Sequence, residues 1–416
     1  MQYIECKDIF YLLRDILKLF DRRPIVHGGK VAYYVYMMLK YKSWLEHKRQ
    51  YEDFELADIV FLTTFHDIGA YRTEDIEQMI QFETKDFRAH SLYGKLFLEK
   101  MTCIGSLADV VQYHHTDFVT LSKAKYSQIE LATYINLAEA IDIFKESLGA
   151  RFNLDIFKKN IGTKFSPEAF ELFCKAEHEY SLFEKISSGV YKQEISDLMD
   201  FFIMTNEDKE KALESLMFTL ALKSDIIIDY AAICVALCEK LGVLMKLNAV
   251  QQKNLLYAAY VHDIGYLAFR TSWIENQTKL SAAHMEKLAQ HTLLMEQLLK
   301  DRLKREVIVV AAAHHERVDG SGYPRRLTEK QMNLSQLILQ FSDAVAGMMK
   351  PPFKKESIIS KIKKQTDSGC FSSVVSKLFI ERFDEIALYA EERSNEILKN
   401  FKGLNEQFES LKGNNG

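Results

Sequence analysis

"TTFHDIGAYR" (Thr63–Arg72) and "AYVHDIGYLA" (Ala259–Ala268) carry the same four letters, His-Asp-Ile-Gly, once in each half of the chain. Each tetrapeptide closes an apolar segment with helical period, "ELADIVFLTTFHDI" (Glu55–Ile68) and "QKNLLYAAYVHDI" (Gln252–Ile264). A helix of this kind buries its apolar face and carries the polar pair at its end to a fixed place in a bundle. Two such pairs in matching settings predict two copies of one helical unit.

Outward from the tetrapeptides the correspondence continues. The first half has "KVAYYVYMMLKYKSWLEHK" (Lys30–Lys48), "SLADVVQYHH" (Ser106–His115) and "QIELATYINLAEAIDIF" (Gln128–Phe144). The second half answers in the same order with "DYAAICVALCEKLG" (Asp229–Gly242), "KREVIVVAAAHH" (Lys304–His315) and "NLSQLILQFSDAVAGM" (Asn333–Met348). A further echo links "GTKFSPEAFELF" (Gly162–Phe173) with "GCFSSVVSKLF" (Gly369–Phe379). In the former, Ser166 reads as a helix N-cap with Pro167 in the first helical position. The polar stretch Ser187 to Glu194 sets the expected boundary, giving domains 1–190 and 191–416. "TNEDKEKA" from Thr205 reads as a solvated turn and helix start inside the second.

Composition agrees with this reading. A chain of 416 residues accommodates two domains that each bury a core. With 48% hydrophobic residues and only five prolines, it is expected to be all-α: two tandem helical bundles related by internal duplication, packed as a pseudo-dimer. A formal charge of -4 excludes long nucleic acid as the main partner, while the basic pairs Lys304-Arg305 and Arg325-Arg326 leave room for a small anionic ligand. Six cysteines without a CxxC pair point to reduced thiols and a cytoplasmic setting, and Cys234 and Cys238 read as core residues on one helix face. No apolar run reaches the roughly 18 residues of a membrane span, so no membrane partner is expected.

Nine of the twelve histidines fall at the ends of these segments. The first half offers His27, His66, His90, His114 and His115, with Asp67 and Glu139; the second offers His262, His291, His314 and His315, with Asp263 and Asp343. Imidazole nitrogens and carboxylate oxygens are donors for Fe, Mn, Zn, Co or Ni, and a bundle can aim one from each helix at a common centre. A carboxylate beside a histidine can bridge two ions. Two ions about 3.5 to 4 Å apart can hold a hydroxide between them and clamp a phosphoryl oxygen, which suits phosphate-ester hydrolysis. His47, His178 and His284 fall outside the pattern and read as surface residues.

These residues resemble the HD superfamily of metal-dependent phosphohydrolases, and the second half resembles its HD-GYP subfamily. The likeness there rests on "HDIG" (His262–Gly265), "LSAAHMEKLAQH" ending in His291, "HHERVDGSGYP" (His314–Pro324) and "SDAVAGMMKPP" with Asp343. The resemblance implies a helical fold, two or more divalent ions per complete site, commonly iron or manganese, and hydrolysis of cyclic dinucleotides such as cyclic di-GMP or cyclic GMP-AMP. It implies one ion on His27, His66, Asp67 and Glu139 and a second on Asp67, His90, His114 and His115. In the second half it implies His262, Asp263 and Asp343 for one ion, and Asp263, His291, His314 and His315 for the other.

Departures from the family pattern accompany the likeness. The opening histidine of the second half is expected near Ile226, and none stands there. The lysine that follows His-Asp-Ile-Gly in the family is Ala70 in one copy and Tyr266 in the other, and a glutamate expected near position 284 is His284. Loss of both lysines removes a positive charge that would stabilise a phosphoryl oxyanion. The "DGSGYP" loop, with Tyr323, is expected to shape a substrate pocket, and Arg317, Arg325 and Arg326 are candidate phosphate contacts. His66 with Asp67 and His262 with Asp263 are the expected catalytic pairs, the first half being the favoured site of turnover. The alternative is a catalytically reduced nucleotide-binding sensor or scaffold with structural metal.

Overall fold

Each apolar stretch named above forms a helix, and several of the starts are marked by side-chain caps. Asn248 and Gln251 cap each other's backbone ahead of helix Ala249–Val261, and Asn333 with Gln336 does the same ahead of Leu334–Ala346. Ser166 accepts from the Ala169 N–H, with Pro167 opening helix Pro167–Tyr180. The chain, a computed structural model, is described over residues 3–47, 51–73, 76, 88–102, 104–123, 128–350 and 352–413. Among these residues the fold is all-α, with no β-structure beyond isolated bridges. Cys103 lies outside the described residues. No described helix is long and apolar enough to cross a membrane.

The chain divides into two compact units, residues 21–208 with 404–416, and residues 1–20 with 209–403. In the first, helix Arg22–Leu45 packs on Asp53–Thr64, on Ile129–Leu148 and on Pro167–Tyr180. Helix Arg88–Met101 packs on the short helix Asp109–Tyr113. In the second, helix Asp225–Leu244 packs on Ala249–Val261 and Leu334–Ala346, and both of these pack on Arg305–Ala311. The helices that end in His66 and His262 thus occupy the same step of the chain order.

The break between the units falls at Asp208, beyond the polar stretch Ser187–Glu194. The reason is that helices Leu182–Ser188 and Tyr191–Met199 pack back onto Arg22–Leu45. There the Tyr33 hydroxyl donates to Glu194 at 2.8 Å, and Phe61 stacks on Phe202. The terminal segments also group away from their neighbours in sequence. Helix Cys6–Phe20 packs on the turn Ile264–Ala268 and on helix His291–Leu299, with Arg302 paired to Asp15 at 2.7 Å. At the other end, Phe408 meets the ring of Tyr93.

Close backbone approach explains the glycine of the tetrapeptide. A β-carbon at Gly69 would lie 2.0 Å from the carbonyl oxygen of His90, and one at Gly265 would lie 2.1 Å from that of His291. Only glycine lets the turn after His-Asp seat directly on the segment that carries the next histidine.

Candidate metal centres

His66 and His114 sit just past the ends of their helices, and each donates its Nδ1 hydrogen three residues back. His66 bonds Thr63 O at 2.7 Å and His114 bonds Val111 O at 2.5 Å. That bonding assigns the proton to Nδ1 and leaves Nε2 to face inward. His27 uses the side chain of another helix instead, bonding Asp142 Oδ2 through Nδ1 at 2.8 Å. Its Nε2 is buried with no hydrogen-bond partner.

Asp67 lies among these nitrogens and divides its two oxygens. Oδ2 is 3.1 Å from His66 Nε2, while Oδ1 is 3.6 Å from both His90 Nε2 and His114 Nε2. Two donor groups result, Asp67-His90-His114-His115 and His27-His66-Glu139, each with its donor atoms within 4.8 Å of one another. Glu139 also meets His115 Nδ1 at 3.3 Å.

The second unit repeats the arrangement. His262 donates from Nδ1 to Ala259 O at 2.9 Å, His291 to Leu288 O at 2.8 Å and His314 to Ala311 O at 2.7 Å. Asp263 turns Oδ2 to His262 Nε2 at 3.3 Å, and Oδ1 to His314 at 3.5 Å and His291 at 3.7 Å. The donor groups are Asp263-His291-His314-His315 and Cys234-His262-Asp343. His315 Nε2 is buried without a hydrogen-bond partner, and its Nδ1 is 3.5 Å from Asp343.

Electrostatics follow from burial and from these carboxylates. Burial opposes protonation of His66, but the Asp67 charge outweighs it and holds the imidazole up at about 9. His262 is likewise raised, against burial, by Asp263 and Asp343. Burial pushes His291 and His314 down to about 4, leaving both neutral at physiological pH. Burial also opposes ionisation of Asp67, yet the surrounding imidazoles keep its carboxyl well below the usual range. Buried nitrogens converging on a split carboxylate fit divalent transition ions, and backbone carbonyls supply the outer partners such ligands need.

The candidate substrate residues spread over a loop. The Tyr323 ring stands 4.8 Å from that of His315. Arg317 is exposed, and its charge is felt by both His315 and Tyr323. The Arg325 guanidinium is taken up by Glu296 at 2.5 Å, and Arg326 is exposed in a left-handed backbone conformation. Glu316, fully buried, clamps the loop by accepting the backbone N–H groups of Arg325 at 2.6 Å and Leu327 at 2.8 Å.

Several of these residues escaped the sequence reading. Asp142 lies three residues after Glu139 on the same helix, a spacing that could have flagged it. Glu316 sits inside the quoted "HHERVDGSGYP" without a visible signal for its role. Ile226 is 37% exposed in the first turn of its helix, whereas Cys234, read as core, stands two turns further on with His262 and Asp343. Tyr266, in the place of the expected lysine, is buried with its ring stacked on His291 at 4.0 Å. His47, His178 and His284 are exposed.

Comparison with known proteins agrees with this geometry. Residues 214–362 match the HD domain family. The 3'3'-cGAMP-specific phosphodiesterase 1 of Vibrio cholerae serotype O1 is 23% identical over 372 residues, 83% of this chain and 83% of that protein. The cyclic di-GMP phosphodiesterase of Thermotoga maritima is 27% identical over 165 residues, 38% of this chain and 45% of that protein. A crystal structure of a cyclic GMP-AMP specific phosphodiesterase from V. cholerae shares the fold, with a TM-score of 0.55 at 11% identity over 94% of this chain and 98% of that one. Residues 214–362 therefore carry an HD domain, and the chain as a whole shares the fold of that phosphodiesterase structure.

Proposed function

We propose that the protein is a metal-dependent phosphodiesterase that hydrolyses a phosphodiester bond of a cyclic dinucleotide, cyclic GMP-AMP or cyclic di-GMP. The activities named for its relatives support the substrate class. The observation that carries the chemistry is the division of Asp67 and Asp263 between two donor groups each, the arrangement a carboxylate needs to bridge two ions.

In this reading each centre takes two divalent transition ions, iron or manganese. His27, His66, Glu139 and Asp67 hold one, and Asp67, His90, His114 and His115 hold the other. His262, Asp343 and Asp263, and Asp263, His291, His314 and His315, do the same in the second unit. When bound, such ions supply an activated water and charge stabilisation at the phosphoryl oxygen. Asp263 and Asp343 then orient that chemistry, Arg317 draws the anionic diester to the loop, and Tyr323 offers a ring face beside His315.

Turnover is assigned to the Asp263 centre, in place of the first-half preference drawn from the sequence. The side chains of Asp263, Asp343 and His315 are 13%, 20% and 21% exposed, against 2%, 6% and 14% for Asp67, Glu139 and His115. A substrate phosphate can meet the former group. The burial of the Asp67 centre favours a structural ion there. A cytoplasmic setting is part of the proposal, supported by the thiols of Cys174, Cys234, Cys238 and Cys370, none of them in a disulfide.

The test is hydrolysis of both cyclic dinucleotides by metal-loaded wild type, Asp67→Ala and Asp263→Ala. Wild type and Asp67→Ala should turn over, and Asp263→Ala should lose more than about a hundredfold, since even an outer-shell partner is typically worth 10- to 100-fold. Loaded protein that binds the dinucleotides but cleaves neither would overturn the enzyme in favour of a nucleotide-binding scaffold.

A further inference from the structure

We propose that Cys234 is a metal ligand that completes the Asp263 centre, standing where His27 stands at the Asp67 centre. The second unit therefore holds a sulfur-ligated ion. The inference rests on reading the donor clusters as metal centres and adds to it a residue that the family pattern does not supply.

Two observations converge on this residue. The first is its setting: Cys234 lies in the third turn of helix Asp225–Leu244, is 1% exposed, and has its Sγ within 4.8 Å of the donor atoms of both His262 and Asp343. The second is the same trio in the other unit. His66 and His262 both follow the end of a helix and both donate Nδ1–H three residues back; Glu139 and Asp343 both project from a later helix. The remaining member is His27 in one trio and Cys234 in the other. A helix that carries no histidine thus still delivers a donor atom to the matching place.

The chemistry of that atom sets what it would hold. A coordinating thiol is deprotonated, so the Sγ proton passes to solvent as the sulfur–metal bond forms. Thiolate favours zinc, cobalt or ferrous iron, whereas oxygen-rich sets suit manganese. The two centres of one chain then differ in metal preference, the Asp263 centre taking the softer ion. Cys238, one turn further along and buried, belongs to no donor cluster among the described residues, which makes it the control for Cys234.

The experiment is loading of the full chain with cobalt, and separately with zinc, under reducing and oxygen-free conditions. Cobalt-loaded wild type should show a sulfur-to-cobalt charge-transfer band, and X-ray absorption of the zinc-loaded protein should find a sulfur at about 2.3 Å. Cys234→Ser should take the band to baseline and lower the bound metal by one ion per chain, while Cys238→Ser keeps both. Bound cobalt without the band, no sulfur neighbour to zinc, or a band that survives in Cys234→Ser would overturn the assignment while leaving the metal centres standing. A chain that takes up no divalent ion would overturn the metal reading itself and this assignment with it. The zinc measurement on wild type needs no variant to fold.

Discussion

The Nε2 atoms of His291 and His314 face each other at 3.0 Å, and both rings have already committed Nδ1–H to a backbone carbonyl. In their neutral forms both inward atoms are lone pairs, and two lone pairs at that distance repel unless a cation lies between them. The backbone therefore holds the pair in a state that favours metal over water.

The same burial predicts how metal-free protein responds to pH. His291 and His314 titrate near 4 when folded against 6.5 ordinarily, so between those values the unfolded chain binds more protons and stability rises with pH. His66 titrates near 9 when folded, so above 6.5 the folded chain binds the extra proton and stability falls as pH rises toward 9. Thermal melts in excess chelator should peak at about pH 6.5. A melting temperature that climbs steadily from about pH 5 to 9 would contradict this balance.

Asp142 orients His27, and its removal should weaken metal at the Asp67 centre alone. Its carboxylate fixes the imidazole through Nδ1 and is itself held by Lys30 at 3.3 Å. Asp142→Asn should lower affinity for one ion by about 10- to 100-fold, the usual effect of losing such a partner. Competition with a chromophoric chelator measures this, and unchanged affinity at both centres would remove Asp142 from the role.

Glu316 should control the loop rather than the metal. Truncation to alanine strands the N–H groups of Arg325 and Leu327, at a cost of about 1.5–3 kcal/mol for hydrogen bonds to a carboxylate. Glu316→Ala should speed hydrogen exchange over residues 316–327 and raise KM for the dinucleotide, with metal content unchanged. Metal loss of the same size as in Asp263→Ala would place Glu316 in the centre instead.

Gly265 tolerates no side chain. Its added β-carbon would meet backbone of His291, which cannot swing aside as a side-chain tip can. Gly265→Ala should destabilise by about 1–3 kcal/mol and displace His291 from the metal, read as a lowered melting temperature with reduced metal content. Gly347→Ala, where a β-carbon meets nothing within 4 Å, serves as the control.

Much of this was legible in the chain because its signals are local. Helical period, the Ser166 cap and the repeated His-Asp-Ile-Gly each depend on residues within a few turns of one another, and they led to an all-helical fold and to histidines and carboxylates that the structure gathers into donor clusters. What remained hidden depended on which helix faces meet. Helical spacing puts Cys234 and Ile226 on the same helix, but only packing against Ala249–Val261 and Leu334–Ala346 decides that the cysteine, and not the first turn, reaches His262 and Asp343. The pairing of His27 with Asp142, the capture of Arg325 by Glu296 and the grouping of helix Cys6–Phe20 with residues 209–403 arise in the same way. Each joins residues far apart along the chain, and burial of apolar faces, which is non-directional, chooses among such partners only when the whole core assembles.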